Sequence, residues 1–168
     1  MSAAQVSRPN VPEPSFDDLY REVILEHYHE PHGKHPVERR DVVAEGLNPL
    51  CGDELDLVVQ LGEAGRIEKL QVDGRGCAIS VASGSILHDL VEGVTPGEAH
   101  ALLAAVRETM HGGGLPDGID LGDFDALEGV KLFPVRIKCA LLPWTTLEEA
   151  LRDIAKREAP GTGAGEVT

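Results

Sequence analysis

The sequence predicts a single α+β domain in which a β-hairpin is packed between helices. The chain has 168 residues, a length that fits one domain with its own hydrophobic core. Two adjacent segments near the middle alternate apolar and polar residues as strands do, whereas segments on either side repeat apolar residues at helical spacing. The domain is expected to span residues 15–158, between a disordered leader at 1–14 and a flexible tail at 159–168.

The first half of the domain is predicted to contain one helix and the hairpin. A helix is expected from about residue 16 to 28, because Ser15 is a good N-cap and apolar residues follow at helical spacing. Alternation over 55–61 predicts a half-buried strand, and a turn separates it from a second strand over 67–72.

The two central helices are predicted from apolar spacing and from a capping signal. The spacing of apolar residues predicts a helix over 80–91. The next helix begins at Thr95, which can form a capping box with Glu98, and Pro96 occupies the first helical position. Three glycines, at 112–114, are expected to end it.

The last third of the domain is predicted to hold a loop and a final helix. The Gly- and Asp-rich stretch 112–129 is interpreted as an inserted loop rather than a domain boundary. A short apolar segment follows, which Pro143 is expected to end. The last helix is then predicted to begin near Thr145 or Thr146.

Composition and charge narrow the classes of function. Fifteen Lys and Arg residues against 29 Asp and Glu give a net charge of −14, which argues against nucleic acid or an anionic membrane surface as a partner. No apolar run approaches the roughly 20 residues of a membrane span, and the first residues lack the apolar core of a secretory signal. Three cysteines, an odd number, argue against a disulfide framework and favour a reducing compartment, so a cytoplasmic location is expected.

The three cysteines and one aspartate are candidate functional residues. Cys51 and Asp53 lie just before the first predicted strand, Cys77 lies between the second strand and a helix, and Cys139 lies in the short apolar segment. A helix beginning near Cys77 would stabilise its thiolate. Cysteines at this spacing, with no Cys-x-x-Cys pair, are equally typical of buried apolar residues, and an Asp after Gly is usually solvated. The spacing alone therefore does not establish a metal site.

Four histidines cluster where the first helix is expected to end: His27, His29, His32 and His35. The cluster has the composition of a metal-binding tract. However, histidine is also favoured at a helix C-terminus by the helix dipole, and no cysteine lies nearby in the sequence. We therefore predict a solvated helix end here. A Cys-His hydrolase is disfavoured, because no nucleophile signature surrounds any cysteine.

Three short motifs resemble those of the IscU/NifU-N family of iron–sulfur cluster assembly proteins. They are Asn48-Pro49-x-Cys51-Gly52-Asp53, Gly74-x-Gly76-Cys77-Ala78-Ile79-Ser80-x-Ala82-Ser83 and Pro134-x-Arg136-x-Lys138-Cys139-Ala140. Found together in this order they are a specific signal, and the resemblance runs from about residue 19 to 156. With the predicted elements, it implies a small three-stranded antiparallel sheet packed with helices.

The sequence is more similar to the SufU branch of this family than to the IscU branch. Lys138 stands where IscU-type scaffolds typically carry a histidine, and the segment 133–136 replaces their Leu-Pro-Pro-Val-Lys motif. The stretch 112–129 matches the insertion that marks SufU proteins. The sequence departs from its relatives over 84–87, where they usually carry Ser/Ala-rich and Met-containing sequence, a difference that concerns packing rather than ligation.

The resemblance to SufU implies one zinc ion bound by Cys51, Asp53, Cys77 and Cys139. Three thiolates and one carboxylate are a plausible tetrahedral set for Zn²⁺. The resemblance also implies a sulfur-transfer protein of the SUF system, which accepts persulfide sulfur from a SufS-type cysteine desulfurase at Cys51. Arg136 matches a family arginine beside the site that would balance its negative charge, the alternative being a surface salt bridge.

Two other functions stay open from the sequence. The same thiolates could hold iron or a [2Fe–2S] cluster, which would make the protein a scaffold for cluster assembly and transfer. The chain could also be a non-catalytic interaction domain with buried cysteines. In the preferred interpretation the protein does not turn over alone, and downstream SUF cluster-assembly proteins are further partners.

Overall fold

The structure is a computed structural model that describes residues 16–158, so the predicted leader, tail and Ser15 cap lie outside the described residues. Among the described residues, no helix has both the length and the apolar character needed to span a membrane. The larger elements in chain order are α1 (Phe16–His29), β1 (Val42–Asn48), β2 (Asp53–Leu61), β3 (Ile67–Arg75), α2 (Ala78–Val91), α3 (Pro96–Met110), a 3₁₀ segment (Gly122–Leu132) and α4 (Pro134–Glu158).

The three strands form one antiparallel sheet in the order β1-β2-β3, which confirms the predicted α+β class. Asn48 at the end of β1 pairs with Asp53 at the start of β2, and Glu54 pairs with Arg75 at the end of β3. These three strand ends therefore lie together, and we call this end of the sheet the site end. The two strands predicted from the sequence are confirmed as β2 and β3. The position of β1 was not predicted from the sequence pattern.

One face of the sheet packs against the helices to form the core. Leu55, Leu57, Leu70 and Val72 on this face are all buried, as the predicted alternation requires. They pack with apolar side chains of α2, α3 and α4 in a single cluster. Behind the site end, the sheet is therefore backed by tightly packed helices.

The stretch predicted as an inserted loop contains packed structure in its second half. The 3₁₀ segment places Phe124, Leu127 and Val130 three residues apart on one side, and all three are buried. The Phe124 ring meets the Trp144 ring edge to face, with centroids 5.8 Å apart. Apolar spacing within a Gly- and Asp-rich stretch thus adds this segment to the core.

The predicted capping of α3 is confirmed. Thr95 Oγ1 accepts a hydrogen bond from the Glu98 backbone N–H at 3.1 Å, and Glu98 Oε1 accepts one from the Thr95 N–H at 2.9 Å. Pro96 is the first helical residue. Both backbone N–H groups at the start of this helix find their acceptors within four residues of sequence. The capping box could therefore be predicted from the sequence alone.

The prediction for the last helix was wrong. The helix begins at Pro134, not near Thr145 or Thr146, and it continues through Pro143. Proline cannot donate to the carbonyl four residues earlier, but neighbouring carbonyls gain side-chain donors. Ser83 Oγ donates to the Ala140 carbonyl at 2.6 Å, and Thr146 Oγ1 donates to that of Leu142 at 2.8 Å. The helix therefore continues past the proline, and Cys139 lies within it.

The predicted solvated helix end was wrong for His27. This side chain is only 4% exposed, and its ring nitrogens lie 2.7 Å from Ser85 Oγ and 2.9 Å from Asp123 Oδ2. The partners belong to α2 and to the 3₁₀ segment, 58 and 96 residues further along the chain. Local sequence could not reveal these contacts.

Candidate metal centre

The fold brings the four candidate ligands to the site end of the sheet. Cys51 lies in the turn between β1 and β2, and Asp53 is the first residue of β2. Cys77 is the N-cap of α2, directly after β3. Cys139 lies in the first half of α4. Three separate chain segments therefore supply the four side chains of one small region.

Sulfur and oxygen donors lie close together in this region. The Cys139 thiol is hydrogen-bonded to the Cys51 sulfur at 3.3 Å, and neither forms a disulfide. These two sulfur atoms and one carboxylate oxygen of Asp53 all lie within 4.8 Å of one another. The Cys77 sulfur lies 3.9 Å from Asp53 Oδ2 but is not part of that tightest group.

The carboxylate of Asp53 is fully buried and fixed by two donors. Its Oδ1 accepts from the Cys77 backbone N–H at 2.9 Å, and its Oδ2 accepts from Asn48 Nδ2 at 3.4 Å. The solvent-exposed fraction of Asp53 is 0%. A carboxylate in such a place requires hydrogen bonds or a cation to offset its lost hydration. Asp53 is thus held in one orientation beside the thiols.

Two glycines with positive φ lie next to the candidate ligands in the backbone. Gly52 has φ +71°, and both its N–H and that of Cys51 donate to the Asn48 carbonyl, at 2.9 and 3.2 Å. Gly76 has φ +136°, and a Cβ there would collide with the Asp53 carboxylate and lie 2.7 Å from its Cα. L-residues with a side chain rarely adopt these φ values. A side chain at position 76 is therefore excluded by contact with Asp53, whereas at position 52 only the backbone conformation favours glycine.

Asn48 is a site residue that sequence reasoning missed. It is 7% exposed, and its amide nitrogen also approaches the Cys139 sulfur, at 3.7 Å. The Asn48 amide thus contacts two candidate ligands, Asp53 of β2 and Cys139 of α4. The only sequence signal is its place in the Asn48-Pro49 turn, since its contact with Asp53 depends on the register of the hairpin.

The surroundings of these groups raise the pKa values of Cys139 and Arg136. Burial raises the pKa of the Cys139 thiol, and the neighbouring Cys51, Asp53 and Cys77 side chains raise it further. The pKa of Arg136 lies above its ordinary value, because its guanidinium hydrogen-bonds to the Cys139 side chain and is attracted by the charges of Cys77, Cys139 and Cys51. The thiolate forms therefore need positive charge nearby.

A zinc ion fits the chemistry of these donors. Sulfur atoms of cysteine and a carboxylate oxygen are ordinary Zn²⁺ ligands, and four of them suit tetrahedral coordination. The donors lie close together, and the Asp53 carboxylate is turned toward the thiols by its backbone and amide partners. The same thiols are also ordinary ligands of iron–sulfur clusters.

Exposed apolar side chains flank the candidate ligands. Leu47 and Leu50 lie beside Cys51 and are 63% and 71% exposed. Phe133 and Val135, next to Arg136 at the start of α4, are each 61% exposed. Large apolar groups that stay in water around a functional site are typical of surfaces that bind another protein. We call these four residues the apolar rim.

Comparison with known families gives one matching description. Residues 19–160 match the NifU-like N terminal domain family. This match covers most of the chain, including all three motifs that carry the candidate ligands.

Two named relatives are similar over nearly their full length. The chain is 39% identical over 144 residues to the zinc-dependent sulfurtransferase SufU of Bacillus subtilis, covering 86% of this chain and 95% of that protein. It is 38% identical over 144 residues to the iron–sulfur cluster assembly scaffold protein IscU of Streptococcus pyogenes serotype M1, covering 85% and 89%.

A solved structure has the same fold. It is described as an iron–sulfur cluster assembly scaffold protein for the SUF system from Fervidobacterium islandicum AW-1. It is 34% identical in sequence and superimposes with a TM-score of 0.70, covering 77% of this chain and 94% of that one.

Proposed function

Because the chain belongs to the NifU-like N terminal domain family, we propose that it is a zinc-dependent sulfur-transfer protein of the SUF iron–sulfur assembly system. It would accept persulfide sulfur from a SufS-type cysteine desulfurase. The observation that carries this proposal is the grouping of Cys51, Asp53 and Cys139, with Cys77 alongside, at one end of the sheet. The similarity to a relative named a zinc-dependent sulfurtransferase supports it.

Zinc would be held by Cys51, Asp53, Cys77 and Cys139. When bound, it keeps thiols deprotonated near neutral pH, where free thiols are mostly protonated. Asp53 would contribute a carboxylate already oriented by the Cys77 N–H and the Asn48 amide. Cys77 would keep its helix-capping position, since its sulfur also accepts from the Ser80 N–H at 3.5 Å.

Cys51 is the proposed sulfur acceptor. It lies in a turn and is partly exposed, whereas Cys139 is fully buried. Its thiolate would attack the outer sulfur of a persulfide on the desulfurase. A new S–S bond then forms at Cys51, the S–S bond on the desulfurase breaks, and the desulfurase cysteine leaves as a thiolate. Electrons balance without an added oxidant or reductant.

Arg136 is proposed to assist this transfer. Its guanidinium hydrogen-bonds to the Cys139 side chain and is attracted by the charges of the other two cysteines, so it would offset the negative charge of an arriving persulfide. Because Arg136 is exposed at the start of α4, it could contact the partner as well as the thiols. The alternative role is a purely surface ion pair.

The sulfur-transfer step is tested by locating the persulfide. The protein is incubated with a cysteine desulfurase and L-cysteine, trapped with an alkylating reagent and digested for mass spectrometry. We expect the added sulfur on the peptide that contains Cys51, and no stimulation of desulfurase turnover by Cys51→Ala. Metal content and circular dichroism of the same samples control for loss of the site or fold. Added sulfur on the Cys77 or Cys139 peptide would contradict the assignment.

The apolar rim supports docking of the desulfurase over the metal centre. Replacing Phe133 by Ala removes a large exposed ring next to Arg136, so the desulfurase should bind more weakly, by about tenfold. Leu115→Ala is a matched control, because Leu115 is also exposed, at 44%, but lies outside the rim. Binding is measured by calorimetry with zinc-loaded protein. Equal affinities of the two variants would exclude the rim as the docking surface.

Assembly of a [2Fe–2S] cluster is the second candidate function. The similarity to a relative named an IscU scaffold, at 38% identity, favours it. Metal analysis of protein purified without oxygen distinguishes the two functions. One zinc ion and no visible absorption would support sulfur transfer, whereas iron with acid-labile sulfide would support the scaffold.

The cellular setting follows from the thiols. Three free cysteines require reducing surroundings to stay available, so the proposed location is the cytoplasm. Downstream SUF cluster-assembly proteins are the proposed receivers of the sulfur. Without a desulfurase the protein would have no turnover of its own.

A further inference from the structure

A second group of potential metal ligands lies at the far end of α2. One ring nitrogen of His27, one ring nitrogen of His32 and a carboxylate oxygen of Asp89 all lie within 4.8 Å of one another. We propose that these three side chains bind a second divalent cation of the Zn²⁺, Co²⁺ or Ni²⁺ type. This inference goes beyond the proposed function and does not depend on it.

The ring of His27 is already oriented as in many metal sites. It is 4% exposed, and its Nε2 and Nδ1 lie 2.9 Å from Asp123 Oδ2 and 2.7 Å from Ser85 Oγ. Histidines that bind metals usually bond their second ring nitrogen to a carboxylate or another polar group, which fixes the ring. A cation would take one nitrogen of His27 and leave the other with its present partner.

The other two ligands are close and accessible. His32 Nδ1 lies 2.9 and 2.8 Å from the two Asp89 oxygens, and the side chains are 51% and 43% exposed. The His32 ring centroid is 4.9 Å from that of His27. The His32 backbone N–H donates to Ser85 Oγ, so the same hydroxyl contacts both histidines. A cation could therefore enter from solvent and keep water as a further ligand.

The charge and type of the donors select a class of ion. Two imidazole nitrogens and one carboxylate oxygen favour Zn²⁺, Co²⁺ or Ni²⁺ over Mg²⁺ and Ca²⁺, which prefer all-oxygen sites. Asp89 as a ligand and Asp123 as the outer partner of His27 together supply two negative charges, which match a divalent ion. The net charge of −14 also favours cations over anions near the surface.

The site is separate from the cysteines. Cys77 caps the start of α2, whereas Asp89 lies in its last turn. At 1.5 Å per residue, the twelve positions between Cys77 and Asp89 correspond to roughly 18 Å. One ion cannot bridge that distance, so the two sites would bind independently.

The test is a metal titration of untagged protein whose cysteine site already holds one zinc ion. Calorimetry with Ni²⁺ should reveal one additional equivalent. His32→Ala and Asp89→Asn should each weaken this binding by at least about tenfold. His29→Ala is the matched control, since His29 is exposed at the same helix end but lies outside the group. No additional equivalent, or equal binding by the parent and His32→Ala, would overturn the proposal.

Absorption spectroscopy with Co²⁺ identifies the type of donor atom. It does not require His27 variants, which could fail to fold. Co²⁺ added to the zinc-loaded protein should give d–d absorption without thiolate-to-cobalt charge transfer, because the donors are nitrogen and oxygen. His32→Ala should lose this absorption. A charge-transfer band would mean that cobalt entered the cysteine site, which would contradict a separate site.

Discussion

Asn48 influences three of the groups at the metal centre. Its carbonyl accepts from the Cys51 N–H and so shapes the turn, while its amide nitrogen points to the Asp53 carboxylate and the Cys139 sulfur. Asn48 thus supports the turn that carries Cys51 and contacts two further candidate ligands, Asp53 and Cys139.

Replacing Asn48 by Ala should therefore weaken zinc binding by about 10- to 100-fold, the range typical of residues that support metal ligands. Affinity is measured by competition with a chromophoric chelator. Leu47→Ala is the control, because Leu47 is the preceding residue of the same strand and its side chain is 63% exposed. An Asn48→Ala protein with the affinity of the parent would remove Asn48 from the site.

At the residue scale, the sequence predicted the candidate ligands but did not predict Asn48, which contacts two of them. The motifs led directly to Cys51, Asp53, Cys77 and Cys139, because their neighbours in sequence are distinctive. The role of Asn48 depends instead on its pairing with Asp53 across the hairpin. Such a contact exists only once the strand register is known.

At the scale of elements, prediction succeeded where the determining contacts are local. The capping box of α3 needs only residues 95–98. By contrast, α4 continues through Pro143, and Ser83 of another helix donates to the Ala140 carbonyl one turn before it. The strand β1 was missed because Gly46 interrupts its pattern, and this glycine is explained by its close approach to Thr146 of α4. In both cases the residues concerned contact another element, and a local sequence pattern does not show such contacts.

A bidentate ion pair joins α3 to α4. Arg107 Nη1 and Nη2 donate to the two carboxylate oxygens of Glu148 at 3.1 and 2.6 Å. The hydrogen bonds from Arg107 hold the pKa of Glu148 below its ordinary value. A lowered carboxyl pKa means that the native state binds its proton more weakly than the unfolded state does, so the pair stabilises the fold at neutral pH.

Glu148→Gln should accordingly lower the free energy of unfolding by about 1 kcal/mol at pH 7. The difference from the parent should shrink as the pH falls through the pKa of Glu148, where the parent carboxylate is protonated too. Urea unfolding of metal-free protein at several pH values measures this. Glu149→Gln, at an exposed neighbour, controls for a general charge effect. A difference that stays constant down to acid pH would contradict this account.

At the scale of the whole molecule, the metal centre would join distant parts of the chain. Its donors come from the β1–β2 turn, the β3–α2 junction and α4, and the contacting Cys51 and Cys139 are separated by 88 residues. Ligands so far apart in sequence bring long loops together, and formation of such a site is coupled to folding. Bound zinc should therefore stabilise the entire domain.

Removal of zinc should lower the melting temperature by at least about 5 °C, which for a domain of this size corresponds to roughly 2 kcal/mol. Differential scanning calorimetry before and after chelation measures the change, with metal analysis to verify removal. Cys139→Ser, which lacks one donor, should respond less to the chelator. An unchanged melting temperature after complete removal would disprove the coupling.

Trp144 gives the molecule a built-in fluorescence signal. It is the one tryptophan in the sequence, is fully buried, and lies against Phe124 while donating to Ser83 Oγ at 3.2 Å. It also follows Cys139 by only five residues on α4. Its emission therefore arises from one buried position on the helix that carries Cys139. We expect metal loading and release to change this emission, which can be measured without a label.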